Sequence, residues 1–467
     1  MTSLNKTDLL FFWTWWTGQL KQFVPERIRG WFLVREGHVA LEMSDKQLTV
    51  SRFDESAEAQ IERESFTLDE VDTEQLSQLI MRGFDRRMTR VTLRLSTNQV
   101  LRKVIQVPTA LEENLKLLAD VQKRSGAKIL VALKGFALWH AYPMIRKYLS
   151  GAAASGLHEV KLASELGKEV HTFCPAFKES EFDEIANLSN HLIFNSFSQW
   201  ERFAKKAKSY KHLKCGIRIN PEYSSVETDI YNPCAPFSRL GVVQSEFRED
   251  LLEGISGLHF HALCEQDSTD LAGVLQNLED KFGKYLSQME WVNFGGGHHM
   301  TRDGYDIELL VSLIKAFKAK YNIEVYLEPG EAVGWKTGTL VGEVVDIVRN
   351  QMDIAILDIS ATTHMPDVLE MPYRPTLLGA GDVGEKSHLY RLTGPSCLAG
   401  DVIGDFTFDT ALKVGDRLVF DDMIHYTMVK TTTFNGIKLP SIVWYTKDEG
   451  SKIVKEFGYE DFKSRLG

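Results

Sequence analysis

The sequence predicts an α/β fold, a (β/α)8 barrel followed by an antiparallel β domain, and three observations support this prediction. Over residues 107–345, short apolar runs alternate with helical stretches, which is typical of parallel βα units closed into a barrel. After residue 345 the rhythm changes to short β-rich runs separated by turn residues, which indicates a separate domain over residues 346–467. Residues 1–106 carry charged, strand-like stretches around an acidic run and predict a separate α+β segment.

The elements of the barrel can be assigned individually. The first helix covers residues 110–124, where leucines recur at helical spacing; Pro108 lies at its start and Gly126 ends it. A second clear helix covers residues 307–321. Apolar runs suited to buried strands lie at residues 128–133, 191–194, 215–219, 257–260, 291–294 and 325–327, β-rich runs of the last domain at 354–357, 417–420 and 441–445, and strand-like stretches of the first segment at 31–35 and 90–95.

Composition limits the classes of function. The formal net charge of −10 argues against a nucleic-acid binder, which would normally carry a basic face. Five widely spaced cysteines without a CxxC pair indicate neither a disulfide framework nor a zinc site, so no metal is expected and a reducing, cytoplasmic location fits best. The aromatic run at residues 9–16 is shorter than the roughly 20 apolar residues that span a bilayer. Burial against its own domain is favoured over a position on a membrane surface.

Several polar residues follow predicted barrel strands, where barrel enzymes carry their chemistry. Lys134 follows the first strand, and desolvation there would lower its pKa and free a neutral amine to react with an aldehyde; a surface lysine at a strand end is the alternative. The glycines at residues 295–297 expose backbone N–H groups suited to phosphate, or else form a tight turn. Glu328 could pair with a protonated pyridine nitrogen or cap a helix.

His261, Cys397 and Tyr426 are modest candidates when each is taken singly. A lone histidine is more often structural, and a lone cysteine is usually a small buried hydrophobe. The order of all the candidates along the chain is more informative: Lys134, His261, the triglycine, Glu328, Cys397 and then Tyr426. That succession resembles the fold-type III pyridoxal-phosphate decarboxylases of the alanine racemase type, which include ornithine and diaminopimelate decarboxylases.

Longer motifs resemble one branch of that group, the carboxynorspermidine and carboxyspermidine decarboxylases, from about residue 108 to the C-terminus. The motifs lie at residues 132–136 (ALKGF), 218–223 (RINPEY), 234–236 (CAP), 257–266 (GLHFHALCEQ) and 364–373 (HMPDVLEMPY). The resemblance implies a pyridoxal 5'-phosphate enzyme that decarboxylates carboxynorspermidine or carboxyspermidine to norspermidine or spermidine in polyamine biosynthesis. It also implies a homodimer with active sites at the interface.

The resemblance further implies roles for individual residues. Lys134 is expected to hold the cofactor covalently, Glu328 to keep its ring nitrogen protonated, and Cys397 to protonate the product from across the dimer interface. His261 is expected to stack on the cofactor ring. The full set of expected cofactor contacts is Lys134, Arg218, His261, Gly295, Gly296, Gly297, Glu328 and Tyr426.

Two acidic residues are candidates for binding the substrate. Ornithine-type enzymes carry an arginine that helps bind phosphate directly after Glu-Pro-Gly, whereas this sequence has Glu331, as in the carboxynorspermidine branch. A carboxylate suits a substrate ammonium better than a phosphate. Asp367 is a second acidic candidate for the polyamine chain.

The first hundred residues depart from the pattern of that branch, whose members begin shortly before the first barrel helix. Residues 8–18, 25–27 and 91–115 resemble the cytoplasmic part of pilus-assembly or type II secretion proteins, and residues 103–107 are apolar enough to replace the family's N-terminal strand. Two alternatives stay open: an interaction protein of a membrane assembly complex that carries the barrel as a passenger, and a decarboxylase of the diaminopimelate or ornithine type. The retained catalytic set favours an active enzyme, and Glu331 argues against the second alternative.

Overall fold

The computed structural model describes residues 38–43, 47–53, 60–67, 90–95, 103–106, 108–446 and 450–467. The predicted segments at residues 9–16 and 31–35 lie outside these ranges, whereas the strand predicted at 90–95 is confirmed. Four strands form a sheet in the order β3-β2-β1-β4, with β4 parallel to β1 and the other neighbours antiparallel. Their bounds are β1 (His38–Met43), β2 (Gln47–Phe53), β3 (Gln60–Thr67) and β4 (Arg90–Leu95).

Eight parallel strands close into a barrel, which confirms the fold predicted for the middle of the chain. The strands are β6 (Lys128–Ala132), β7 (Gly151–Ala154), β8 (Glu169–Cys174), β9 (His191–Phe194), β10 (Lys214–Arg218), β11 (Ile255–His259), β12 (Trp291–Asn293) and β13 (Glu324–Leu327). The helices between and before them are α1 (Pro108–Ser125), α2 (Tyr142–Tyr148), α3 (Leu157–Glu165), α4 (Glu179–Leu188), α5 (Phe197–Ala207), α6 (Ser268–Leu286) and α7 (Ile307–Tyr321).

The barrel interior is filled by a few large side chains opposite small ones. Trp291 and Tyr326 are almost fully buried there with Leu130, Ile193 and two alanines, Ala132 and Ala153. A Cβ atom at Gly257 would lie 2.0 Å from the Trp291 indole, so the glycine in β11 makes room for that ring. A larger core lies between the barrel strands and the surrounding helices, whose apolar faces pack inward.

A mixed sheet follows the barrel in sequence, in the order β17-β16-β15-β14-β5-β19-β20, with β18 on β14. Its strands are β5 (Lys103–Gln106), β14 (Gly338–Asn350), β15 (Met352–Leu357), β16 (His388–Thr393), β17 (Val402–Phe408), β18 (Arg417–Phe420), β19 (Ser441–Thr446) and β20 (Gly450–Lys455). Short helices α8 (Glu331–Gly334), α9 (Ala361–His364), α10 (Asp367–Glu370), α11 (Tyr426–Val429) and α12 (Tyr459–Lys463) complete the described elements.

The prediction of a purely antiparallel last domain is wrong in two places. Strand β16 runs parallel to β15, because the long connection between them returns the chain to the starting end of the sheet. Strand β5 pairs antiparallel with β14 and parallel with β19, because it enters from the N-terminal side of the barrel. The apolar stretch before the first barrel helix therefore fills a position inside this sheet. None of the helices in the described ranges is both long enough and apolar enough to cross a membrane.

Candidate active site

The carboxyl ends of the barrel strands bring the predicted residues together. Lys134 follows β6, His261 follows β11, the triglycine follows β12 and Glu328 follows β13. Lys134, His261, Glu328 and the last two glycines of the triglycine, Gly296 and Gly297, line a cavity of about 420 Å³. Its wall also includes Glu331 and Tyr426, which lie outside these strand ends. Two distant turns meet here directly, since the Ala132 N–H donates a hydrogen bond to the Pro329 carbonyl at 3.0 Å.

Lys134 lines this cavity. Its side chain is exposed to the space inside the cavity and is otherwise surrounded by protein atoms. Desolvation lowers the pKa of its ammonium, and the positive charge of Arg218 lowers it further. Glu328 acts in the opposite direction but does not reverse the shift. The environment thus favours the neutral amine that nucleophilic attack on an aldehyde requires.

Glu328 is held as a carboxylate by two side chains from neighbouring strands. Burial disfavours its charge, but His259 at 3.3 Å and the Asn293 amide at 2.6 Å lower the pKa of Glu328 to about 2. His259 ends β11 and Asn293 ends β12, so the parallel sheet fixes all three side chains at one edge. A buried, permanently charged carboxylate is suited to hold a positive charge on a ring nitrogen.

The triglycine turn wraps closely around His261. The Gly296 N–H donates to His261 Nδ1 at 2.8 Å, which leaves the proton of the neutral imidazole on Nε2. A Cβ atom at Gly297, which has a φ of +85°, would lie 2.0 Å from the Leu263 carbonyl oxygen. Only glycine allows the backbone to approach this closely and to turn in the left-handed region. Burial lowers the pKa of His261, so the ring stays neutral.

Arg218 lies on the other side of Lys134, in an adjoining cavity of about 370 Å³ that Lys134, His261 and Glu328 also line. Its guanidinium lies 4.5 Å from the centre of the Phe173 ring, and that ring stacks on His259 at 5.6 Å. Burial lowers the pKa of Arg218 to about 10, so it remains charged near neutral pH. Arg218 therefore supplies a fixed positive charge beside the carboxylate of Glu328.

An acidic group borders the cavity where the resemblance suggests that substrate binds. Burial raises the pKa of Glu331 to about 8, and its carboxylate lies 3.8 Å from His299 Nε2 and 3.9 Å from His425 Nε2. Glu265 lines the same cavity, and burial raises the pKa of its carboxyl group as well. Asp422, 3.2 Å from His425, adds further negative charge. The group is short of positive charge, which suits a cationic ligand.

Four predicted residues lie outside the lining of the Lys134 cavity: Arg218, which lines the adjoining cavity, Gly295, Asp367 and Cys397. Asp367 is ion-paired with Lys430, which also bonds Glu370, so its charge is already neutralised within the chain. Cys397 is exposed on the turn after β16, where its backbone N–H donates to the Asn435 side chain at 2.7 Å. Within one chain, the structure does not bring the Cys397 thiol to the cavity.

Sequence reasoning missed several contributors. His259 and Asn293, which hold Glu328, end their strands, and the rule that barrel chemistry lies at strand ends would have found them. Glu265, His299 and His425 lie in loops, and only the fold brings them near Glu331.

The fold and the cavity define a barrel enzyme with a reactive lysine at its strand ends. The chain belongs to the pyridoxal-dependent decarboxylase family: the family model described as "Pyridoxal-dependent decarboxylase, C-terminal sheet domain" matches residues 50–424. The matched range begins within the first hundred residues. The interpretation of residues 1–106 as pilus-assembly-like is not tested by this match and stays a prediction.

Similar proteins include two curated bacterial enzymes. The chain is 49% identical to a carboxynorspermidine/carboxyspermidine decarboxylase of Campylobacter jejuni, over 76% of this chain and 95% of that protein. It is 46% identical to a carboxyaminopropylagmatine decarboxylase of Synechocystis, over 76% of this chain and 93% of that protein. A crystal structure of the Campylobacter jejuni carboxynorspermidine decarboxylase with norspermidine matches with a TM-score of 0.73 and 47% identity, covering 79% of this chain and all of that one. Diaminopimelate decarboxylase structures share the fold at 15% to 17% identity.

The residues around the cavity fit pyridoxal phosphate, the cofactor of this family. Gly296 and Gly297 leave no space for a Cβ atom and offer backbone to a phosphate, and Glu328 is ionised where a protonated ring nitrogen needs a partner. Lys134, Arg218, His261 and Tyr426 surround the remaining space.

Proposed function

We propose that this protein decarboxylates a carboxylated polyamine of the carboxynorspermidine and carboxyspermidine class and releases the corresponding triamine. The observation that carries the proposal is the group of carboxyl side chains next to the cofactor cavity, led by Glu331, whose raised pKa shows that it lacks a strong cationic partner within the chain. In that position ornithine-type enzymes place an arginine. The 49% identity to a relative of the same named activity supports the proposal.

The residues of this chain divide the work of the reaction. When bound, pyridoxal phosphate supplies an electron sink for the electron pair that remains when carbon dioxide departs. Lys134 would supply the amine that holds the cofactor aldehyde. Glu328 keeps a proton on the ring nitrogen, and the His261 ring, fixed by Gly296, faces the cavity to stack on the cofactor. Gly295, Gly296, Gly297 and Tyr426 hold the phosphate.

The substrate is oriented by the acidic group. Glu331 takes the carboxylate form when an ammonium binds beside it, because the ammonium replaces the solvent that burial removed. Asp367 also binds the substrate once a substrate ammonium replaces Lys430 as its ion-pair partner.

The homodimer is the functional unit in this proposal, and Cys397 acts across its interface. The exposure of Cys397, outside the lining of the cavity in its own chain, supports this arrangement. We also propose a cytoplasmic location, in keeping with five unpaired cysteines and a cytosolic supply of the cofactor.

A second candidate substrate ends in a guanidinium group instead of an ammonium. The 46% identity to the carboxyaminopropylagmatine decarboxylase favours it nearly as strongly as the first. A planar guanidinium can bind one carboxylate through two parallel hydrogen bonds, and both Glu331 and Glu265 border the cavity.

The test is a substrate panel with the purified protein. Carbon dioxide release is compared for carboxynorspermidine, carboxyspermidine, carboxyaminopropylagmatine, ornithine and diaminopimelate, and bound cofactor is followed by its visible absorbance. We expect release from a carboxylated polyamine at least about 100-fold faster than from the two amino acids. A protein that stays colourless with added pyridoxal phosphate, or that prefers ornithine or diaminopimelate, would refute the proposal.

The Lys134→Ala variant tests whether Lys134 is the residue that binds the cofactor. It is expected to lose both the lysine-bound absorbance and the activity. Mixing Lys134→Ala with Cys397→Ala tests the shared site, because hybrid dimers contain one intact site and should recover about a quarter of wild-type activity. Absence of recovery in a verified hybrid dimer would exclude a site shared between two chains.

A further inference from the structure

A second group of buried ionisable side chains lies at the amino-terminal end of the barrel, opposite the cofactor cavity. Glu169 is the first residue of β8, and His171 lies two residues further along the same strand. His191 is the first residue of β9 and pairs in register with His171. The two imidazoles stack with their centres 3.9 Å apart, and both contact the rings of Trp291 and Tyr326.

The polar atoms of this group are buried without being satisfied. His171 is fully buried and His191 is 4% exposed. Among the described residues, both ring nitrogens of His191 and Nδ1 of His171 have no hydrogen-bond partner, and His171 Nε2 has only a long contact of 3.5 Å to Glu169 Oε2. Buried polar atoms usually have partners, so these closely spaced atoms are available to bind a ligand.

We propose that Glu169, His171 and His191 form a binding site for a divalent transition-metal ion, with zinc as the best-suited ion. One ligand atom from each residue lies within 4.8 Å of the other two, which is close enough for a single ion to bind all three. Two imidazoles and one carboxylate are a ligand set that zinc uses in proteins, with water in the fourth position.

The surroundings favour a cation at this place. The Lys128 ammonium is matched by two carboxylates, Glu169 at 2.8 Å and Glu324 at 3.6 Å. The Glu169 and Lys128 side chains are 32% and 34% exposed, which gives an ion a path from solvent.

The site would serve the structure of the barrel. An ion bound by β8 and β9 links two neighbouring strands at the end of the barrel where no cofactor residue lies. It would also satisfy the polar atoms that the aromatic surroundings leave without partners.

Zinc and cobalt are the probes, applied to the cofactor-loaded enzyme after treatment with a chelator. The test has to separate this site from Glu265, His299 and Glu331, a second set with ligand spacing at the active-site cavity. The variants Glu169→Gln and His191→Asn remove the proposed site, and Glu331→Gln weakens the second one. His158→Asn, at an exposed position of α3, is the matched control.

We expect zinc to raise the Tm of the wild type, of Glu331→Gln and of His158→Asn. Glu169→Gln and His191→Asn should bind zinc at least about tenfold more weakly and show no comparable rise. Cobalt should give visible d–d absorption, at longer wavelength than the cofactor, only in proteins that keep Glu169 and His191.

Three results would overturn the proposal. These are absence of zinc binding by the wild type, unchanged binding in both site variants, and loss of binding in Glu331→Gln alone. If His191→Asn fails to fold, Glu169→Gln still decides the question, because its partly exposed side chain can be changed with little effect on packing.

Discussion

Both ends of the barrel carry buried histidine and glutamate side chains, but the hydrogen bonding of these side chains differs between the two ends. At the carboxyl end, Glu328 accepts hydrogen bonds from His259 and Asn293, and His261 accepts one from Gly296. At the amino end, His191 has no hydrogen bond to any described residue, and His171 has only a 3.5 Å contact to Glu169. Both ends hold buried titratable groups, and those at the carboxyl end line a cavity.

The difference shows two ways in which a fold prepares a ligand site. At the carboxyl end, hydrogen bonds fix the charge of Glu328 and the tautomer of His261, so this part of the cavity is pre-organised for a cofactor that makes contacts of its own. At the amino end, the barrel holds ligand atoms close together and leaves their bonds unformed. Hydrogen-bond satisfaction thus distinguishes a preformed catalytic site from a site that a ligand would complete.

The largest expected effect is a difference between two glutamates, one at the start of β13 and one directly after its end. Glu328→Gln at the carboxyl end of β13 should lower kcat about 100-fold or more with cofactor still bound, because an amide cannot stabilise a positive charge on the ring nitrogen. Glu324→Gln, at the partly exposed start of β13, should retain activity within about twofold. Steady-state kinetics with cofactor quantified by absorbance is the measurement. Equal kcat values in the two variants would remove Glu328 from the catalytic group.

The residues at the carboxyl end of the barrel could be predicted from the sequence, because they directly follow recognisable strands. Lys134, His261 and Glu328 follow runs whose apolar character marks buried strands, so their meeting at one cavity was predictable. The proposed metal site at the amino end could not be predicted from the sequence. Glu169 and His191 are 22 residues apart, belong to different strands and show no compact metal-ligand spacing. Strand β7 was also missed, since its Gly-Ala-Ala-Ala sequence lacks the β-branched residues that mark strands.

A second expected effect concerns the space at the triglycine turn. In Gly296→Ala the new Cβ would lie 2.5 Å from the Glu328 carbonyl oxygen, so the backbone must shift and cofactor affinity should fall about tenfold. Gly156→Ala is the matched control, because its Cβ would meet no atom within 4 Å. Titration of the apoenzyme with pyridoxal phosphate gives both dissociation constants. A cofactor affinity in Gly296→Ala equal to that of the control would show that this turn does not hold the cofactor.

A third prediction uses the pH dependence of substrate binding. Burial raises the pKa of Glu331 to about 8, so the carboxyl group is mostly neutral below that pH and charged above it. The substrate amines, with an ordinary pKa near about 10, stay protonated through this range. KM should therefore fall as pH rises through about 8, whereas Glu331→Gln should show a KM raised about tenfold and without this slope.

Cofactor affinity separates this role from damage to the site. Glu331→Gln should bind pyridoxal phosphate within about twofold of wild type, because Glu331 faces the substrate side of the cavity. Equal losses of substrate and cofactor affinity would contradict the role. Glu324→Gln, far from the cavity, should keep the pH slope of the wild type.

The smallest expected effect returns to the amino end of the barrel. Without added metal, Glu169→Gln removes an ion pair with Lys128 that is about one-third exposed, and such pairs contribute about 0–1 kcal/mol. Its free energy of unfolding should therefore lie within about 1 kcal/mol of the wild type in chelator, as urea denaturation can measure. A much larger loss would mean that Glu169 supports the barrel by itself, and the two ends would then differ less than their hydrogen bonds indicate. A small loss in chelator that grows when zinc is present would place the stabilising role in the bound ion.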